Sequence, residues 1–232
     1  MVIKLVANRE MGVGDMDLSK LSTDWLKVSC QWNCPPDIAK DIFLELCERY
    51  QHKSRFYHTL THVESMLILA ESYRSLIEKA DVMFFAIWFH DAVQSIGKDN
   101  EKESAELASR ALEQFGAPEA IIERVCSMIL TTKKHIELTD SDTQLFIDFD
   151  LAILGSDRDT YQKYTKNCRK EYAIPNWIYN RGRIKFLESL LERPSIFQSE
   201  FFQNRYEKIA IDNIQQELKD YTGDSKVSCY GS

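Results

Sequence analysis

Residues 62–80, HVESMLILAESYRSLIEKA, carry the pattern that decides the fold. Their apolar side chains recur at intervals of three and four residues, which places them on one face of an α-helix. The residues on that face are Val63, Met66, Leu67, Ala70, Tyr73 and Leu76. The segment therefore predicts an amphipathic helix that packs one face against a core.

The same helical spacing recurs along most of the chain. It appears in residues 37–50, 100–116, 118–132, 157–173 and 182–193. The 232 residues include only 8 glycines and 5 prolines, so long stretches lack a helix breaker. We predict an all-α fold of eight to ten helices in a single compact domain. The run FIDFDLAIL, residues 146–154, stays open to a strand, because short apolar runs fit either structure.

The two ends of the chain differ in composition from the part between them. We predict a mobile N-terminal arm over residues 1–18, a helical domain over 19–221 and a disordered tail over 222–232. The first residues, MVIKLVANRE, lack the long apolar core of an export signal. The longest apolar run, residues 82–89, is far shorter than the roughly 20 residues that span a bilayer. We therefore expect a cytoplasmic protein without a membrane segment.

Charge and cysteine content narrow the functional classes. The net charge of -7 and the pI near 5.3 argue against a nucleic acid polymer or an anionic membrane as partner, although a local basic patch could still bind phosphate. The six cysteines are scattered, and Cys30 and Cys34 lack a second pair at zinc-finger spacing. Reduced thiols are the simpler interpretation.

A histidine and an aspartate follow the most apolar run of the chain. In FAIWFHDAV, residues 85–93, His90 and Asp91 come directly after large apolar side chains. A buried, unpaired carboxylate is costly, so Asp91 is expected to face a cation. Imidazole and carboxylate together suit zinc, manganese and iron. A His–Asp hydrogen bond at a helix end is the alternative.

Two further aspartates lie in FIDFDLAILG, residues 146–155. If the segment is helical, Asp150 shares a face with Ile147, Leu151 and Leu154, which is the expected core side. Asp150 is therefore the carboxylate that needs a buried partner. Asp148 points away from that face and is expected to be solvated or to lie behind a metal ligand.

Two of the five histidines lie four residues apart in FYHTLTHVE, residues 56–64. On a helix, His58 and His62 would share one face, one turn apart. Such a pair is either a polar face, a pair of satisfied core histidines, or part of a site. Together with the two segments above, the chain offers His62, His90, Asp91 and Asp150 as four ligands for one divalent ion, which could be Mn, Co, Mg, Zn or Fe.

The order H…HD…D resembles the HD superfamily of metal-dependent phosphohydrolases. The similarity extends to YHTLTH, WFHDAV, DNEKESAELA, DFDLAILG, EYA, GR and LERPSIF, which resemble the subgroup named predicted HD-type metal-dependent phosphohydrolases. It runs from about residue 22 to residue 221. The resemblance implies an all-α HD-domain fold with one central metal site and activity on phosphate esters or anhydrides.

The segment around His58 resembles the cyclic-nucleotide phosphodiesterases, which are remote relatives of the HD superfamily. There a Tyr-His-Asn stretch places its histidine four residues ahead of the first metal-binding histidine, and this chain has the same spacing with Thr59 in place of asparagine. By this similarity His62 binds the metal. His58 would donate a proton to the leaving group.

The expected chemistry assigns roles to further residues. Asp91, or Glu101 ten residues later, would take a proton from the attacking water, unless Glu101 is only a charge at a helix start. By resemblance, Lys133, His135 and Arg183 are the favoured substrate-binding residues, although each could equally be a surface charge. The expected substrate is a small phosphorylated molecule, with a nucleotide as the default.

Two other functional classes stay open. One is an HD-fold oxygenase with two irons, whose sites use additional histidines between the HD pair and the last aspartate; here only His135 lies in that interval. The other is a non-catalytic metal-containing sensor or scaffold with the same fold. The sequence does not specify the substrate, the metal or the oligomeric state.

Overall fold

The fold was obtained as a computed structural model that describes residues 18–95, 97, 99–133 and 140–227, with side chains up to residue 223. Every regular element in these ranges is helical, which confirms the all-α prediction. The ambiguous run at residues 146–154 is helical as well: an α-helix ends at Leu151 and a 3₁₀ turn follows it.

Ten α-helices span the described residues. They are α1 (Leu18–Ser29), α2 (Pro36–Tyr50), α3 (Leu60–Ser72), α4 (Ala80–Phe89), α5 (Asn100–Gln114), α6 (Glu119–Thr131), α7 (Ser141–Leu151), α8 (Arg158–Lys170), α9 (Asn176–Leu191) and α10 (Glu200–Val227). Short 3₁₀ helices cover Cys30–Trp32, Arg74–Leu76 and Ala152–Gly155.

Helix α4 is the centre of the core. Seven of its ten residues are buried, and it is apolar on every side, as expected of a helix enclosed by others. It packs against α3, α5, α6 and α7. On another side the ring of Trp25 from α1 lies 5.2 Å from that of Trp88. His90, directly after α4, is therefore buried, and Asp91 beside it is partly exposed.

Buried or shielded carboxylates join the helices through backbone N–H groups. Asp142, in the first turn of α7, accepts hydrogen bonds from the N–H groups of Glu78 and Lys79, both at 2.8 Å. Because Glu78 and Lys79 directly precede α4, this contact fixes the start of α4 against α7. It sets the relative position of the two helices that carry the candidate site.

The chain ends only partly match the predicted boundaries. Residues 1–17 of the predicted N-terminal arm lie outside the described residues, and Leu18 already belongs to α1. The predicted boundary at residue 221 lies within α10, which continues to Val227. Gly223 costs a helix only about 1 kcal/mol relative to alanine, which does not end it.

None of the described helices is long and apolar enough to cross a bilayer. The described cysteines, Cys30, Cys34, Cys47, Cys126 and Cys168, are free thiols.

Candidate metal centre

Two buried histidines from different helices face each other at the centre of the molecule. His62 lies in the first turn of α3 and His90 directly follows α4, and the side chains are only 4% and 1% exposed. Their Nε2 atoms are 3.2 Å apart. His90 Nδ1 lies 2.9 Å from the carbonyl oxygen of Ile87, which can only accept, so Nδ1 carries a proton. In its neutral form His90 therefore presents the Nε2 lone pair to the site.

Two aspartates complete the cluster around these nitrogens. Asp91 Oδ2 lies 3.2 Å from His90 Nε2, and Asp150 Oδ1 lies 3.3 Å from His62 Nε2. The ligand atoms of His62, His90 and Asp91 all lie within 4.8 Å of one another, so this group could hold a metal ion. We call His62, His90, Asp91 and Asp150 the histidine–aspartate cluster.

The charges of this cluster act strongly on each other. Burial alone would raise the pKa of Asp91, but His90 and His58 outweigh it and hold the pKa far below its usual value. Burial would likewise raise the pKa of Asp150, and the contacts with His62 and His90 lower it. Both carboxylates therefore stay ionised, because the imidazoles beside them supply positive charge when they are protonated.

His58 lies beside the cluster but outside the helix that carries His62. Helix α3 begins at Leu60, and the preceding Thr59 is extended, with φ -111° and ψ 179°. The expectation that His58 and His62 share one helical face was therefore wrong. Their ring centroids are nonetheless 5.9 Å apart, and His58 Nε2 lies 3.8 Å from Asp91 Oδ2.

Glu171 explains why residues 56–58 are not helical. Its Oε1 accepts hydrogen bonds from the backbone N–H groups of Phe56, Tyr57 and His58, at 2.7, 2.7 and 2.9 Å. Its Oε2 accepts a 2.5 Å hydrogen bond from His58 Nδ1. Burial would raise the pKa of Glu171, but the hydrogen bonds from His58, Tyr57 and Phe56 lower it to about 2.

Asp148 has a different environment from Asp150, although only one residue separates them on α7. It is fully buried and accepts hydrogen bonds from the N–H groups of Gln198 and Ser199, at 2.6 and 2.8 Å, and from the Ser199 hydroxyl. It points away from the cluster, as the helical spacing predicted. The prediction of a solvated side chain was wrong, because Asp148 holds the start of α10. Burial raises its pKa to about 6, although the hydrogen bonds from Ser199 and Gln198 act to lower it.

Arg183 is not free to bind a substrate in this structure. Its side chain is 8% exposed, and its guanidinium binds both carboxylate oxygens of Glu217, at 2.9 and 3.1 Å. The remaining donor, Nη1, bonds the hydroxyl of Tyr164 at 2.9 Å. Sequence spacing gave no sign of this partner, because Glu217 lies 34 residues away on α10.

The other predicted polar residues interact with one another or lie beyond the described ranges. Lys133 forms an exposed 2.6 Å ion pair with Asp99. Glu101, in the first turn of α5, interacts with that pair. His135 lies outside the described residues.

Three residues that the sequence did not single out hold the His58 segment in place. Arg55 donates to the carbonyl oxygens of His58 and Ala92, at 3.0 and 3.1 Å. Gln94 Nε2 donates to Glu171 Oε2 at 3.2 Å. Glu171 itself is 113 residues away from His58, and no local pattern indicates such a contact.

Comparison of the chain with models of protein families, with characterised proteins and with solved structures gave no match.

Proposed function

We propose that the chain is a metal-dependent phosphohydrolase of the HD type, which hydrolyses a phosphate ester or anhydride of a small molecule. One divalent ion would be held by His62, His90, Asp91 and Asp150. The observation that carries the proposal is the 3.2 Å approach of two imidazole Nε2 atoms, each with a carboxylate oxygen 3.2–3.3 Å away.

A divalent ion can take the place of protons in this cluster. Without an ion, protons on the imidazoles balance the two ionised carboxylates: burial would lower the pKa of His90, but Asp91 and Asp150 outweigh it and raise it to about 9. A cation can supply the same positive charge, because imidazole nitrogen and carboxylate oxygen are both good ligands. The two imidazoles favour Mn, Fe, Co or Zn over Mg, which prefers oxygen ligands.

The cluster is accessible from one side. His62 and His90 are buried, whereas the Asp91 side chain is 33% exposed and that of His58 is 25% exposed. A substrate would therefore approach over Asp91 and His58. A divalent ion at the cluster would supply Lewis acidity toward water and toward a phosphoryl oxygen.

Asp91 and His58 then divide the proton transfers. Asp91 Oδ2 lies between the histidine pair and His58, 3.2 Å from His90 Nε2 and 3.8 Å from His58 Nε2. In the proposed reaction it would accept a proton from the attacking water. His58, partly exposed beside it, would donate a proton to the departing oxygen.

Metal analysis combined with a phosphate-release screen tests the proposal. The purified chain should contain about one transition-metal ion, and it should release phosphate from some phosphorylated metabolites with added Mn²⁺, Co²⁺, Mg²⁺, Zn²⁺ or Fe²⁺. The His62→Ala variant should lose both properties, and His52→Ala, which alters an exposed histidine whose imidazole bonds Ser54, should keep both.

Two results would replace the proposal by another function. Bound metal without any phosphate release across nucleotides, sugar phosphates and aryl phosphates would indicate a sensor or scaffold. Two irons per chain would indicate an oxygenase.

A further inference from the structure

The backbone ahead of α3 is ordered by a side chain from a distant helix. Three consecutive N–H groups, those of residues 56, 57 and 58, converge on the single oxygen Oε1 of Glu171. Successive N–H groups that point to one side form a concave site for an anion. Here the anion is a carboxylate of the same chain.

The second oxygen of Glu171 acts on the side chain of His58. Because a carboxylate only accepts, the 2.5 Å contact between Oε2 and Nδ1 places the proton on Nδ1. The imidazole is thereby turned so that Nε2 faces Asp91, 3.8 Å away. One carboxylate thus fixes both the backbone position and the ring orientation of His58.

The contact is shielded and is supported from the other side. The Glu171 side chain is only 1% exposed, and Gln94 donates a further hydrogen bond to Oε2. Arg55 bridges the carbonyl oxygens of His58 and Ala92 by donating a hydrogen bond to each, and Ala92 directly follows Asp91. The His58 segment is therefore held at its N–H groups by Glu171 and at its last carbonyl by Arg55.

We infer that Glu171 is a positioning residue for the proposed reaction, which acts through His58 rather than through the metal. This inference rests on the proposed function, because it takes His58 to be the proton donor. A proton donor must stay within hydrogen-bond reach of the departing oxygen, and a displacement of about 1 Å can cost roughly 10²-fold in rate. Without the carboxylate, the three N–H groups and Nδ1–H of His58 lose their common acceptor.

Chemical rescue by a small carboxylate tests the inference. In Glu171→Ala, formate can occupy the space left by the side chain and accept the same hydrogen bonds. We expect this variant to keep its metal, to lose roughly 10²-fold in turnover of an alkyl phosphate, and to exchange the amide hydrogens of residues 56–58 faster. Added formate should restore part of the turnover and part of the amide protection, and the same concentration of chloride should restore neither.

Two matched variants separate positioning from general stability. Glu207 also accepts hydrogen bonds from two consecutive N–H groups, those of Ile196 and Phe197, but it lies away from His58. Glu207→Ala should lose stability and keep its turnover per folded molecule. Glu171→Gln should lose turnover without rescue, because its amide fills the space and presents an N–H to one of the donors.

The possible results distinguish this inference from the proposed function. The inference is overturned if formate restores neither amide protection nor turnover in Glu171→Ala, or if that variant loses its metal. It is also overturned if Glu171→Ala and Glu207→Ala turn over equally well. If the wild-type chain hydrolyses nothing while formate still restores amide protection, the proposed function fails and the hold of Glu171 on His58 stands.

Discussion

The molecule contains two buried polar clusters that satisfy their charges in opposite ways. In the first, which we call the arginine–glutamate cluster, Arg183 binds both oxygens of Glu217, and the hydroxyls of Tyr161 and Tyr164 complete the network. In this network Arg183 donates to Glu217 and to the Tyr164 hydroxyl, and the Tyr161 hydroxyl donates to Glu217. In the histidine–aspartate cluster, nitrogen faces nitrogen and two carboxylates share the same space.

The difference separates a structural cluster from one that needs a ligand. A buried charge is tolerated when its partner is present and hydrogen-bonded. Arg183 carries its partner within the chain, so its cluster is complete. The four residues of the histidine–aspartate cluster include no lysine or arginine, so their positive charge comes only from protons on the imidazoles. Burial would lower the pKa of His90, but Asp91 and Asp150 outweigh it and raise it to about 9. A divalent cation would supply that charge.

The largest expected effect follows from removing a metal ligand. His62→Ala and Asp150→Ala should each lose the bound metal and all measurable turnover, because each removes a ligand atom within 3.3 Å of its neighbour in the cluster. Chelation of the wild-type chain should lower its melting temperature, since a ligand that binds only the native state stabilises it. Metal analysis and thermal unfolding measure both. If exhaustive metal removal changes neither melting temperature nor turnover, the histidine–aspartate cluster does not need a metal ion and does not differ from the arginine–glutamate cluster in this respect.

His58→Ala is expected to have the next largest effect, and it tests whether His58 is one of the metal ligands. His58 lies 3.8 Å from Asp91 and bonds Glu171, so it should not be needed for metal binding. The variant should keep its metal and lose roughly 10²–10⁴-fold in turnover, as is usual for a general acid. The loss should shrink for 4-nitrophenyl phosphate, whose leaving group needs no proton. Loss of the metal in His58→Ala would show that His58 is a fifth ligand.

Arg183→Met tests the arginine–glutamate cluster with a smaller expected effect. Removing one partner of a buried ion pair costs about 3–5 kcal/mol in stability. We expect that loss in urea unfolding, with metal content and turnover per folded molecule unchanged. The double variant Arg183→Met/Glu217→Leu should recover part of the stability, because it leaves no unpaired carboxylate. A raised KM for the phosphorylated substrate, with stability intact, would instead restore the substrate-binding role predicted from the sequence.

The sequence was sufficient for the parts of the molecule that depend on local spacing. Periods of three and four residues predicted helices, and the apolar run before His90 predicted a buried HD pair, which holds for His90 but only partly for Asp91, whose side chain is 33% exposed. The same reasoning separated Asp150 from Asp148 by the face of α7 on which each lies. These predictions succeed because helical geometry fixes side-chain direction over a few residues.

Contacts between distant segments were beyond such reasoning. Glu171 bonds His58 across 113 residues and Glu217 bonds Arg183 across 34 residues, and neither distance leaves a periodic signal. For the same reason the sequence suggested a helix over His58, where Glu171 instead takes the N–H groups that a helix would use. The sequence also gave no sign of the contacts of Asp148, because the N–H groups that donate to it, at residues 198 and 199, come 50 and 51 residues later.

Asp148→Ala should have the smallest effect on the site and a pH-dependent effect on stability. Asp148 bonds the start of α10 and touches none of the four cluster residues, so the variant should keep its metal, whereas Asp150→Ala should not. The loss of its hydrogen bonds should cost about 1–3 kcal/mol.

The sign of the pH dependence follows from the pKa of Asp148, which burial raises to about 6 from the usual 3.8. The native state then binds a proton more tightly than the unfolded chain, so this contribution to stability is fully present below about pH 4. It declines as the pH rises through about 6. The free-energy difference between wild type and Asp148→Ala should therefore shrink from pH 4 to pH 7. Urea unfolding of both chains in the same chelator measures it, since the titration of the cluster is then common to both. A difference that stays constant or grows across this range would show that the three hydrogen bonds outweigh burial and keep Asp148 ionised, as Asp150 in the histidine–aspartate cluster is.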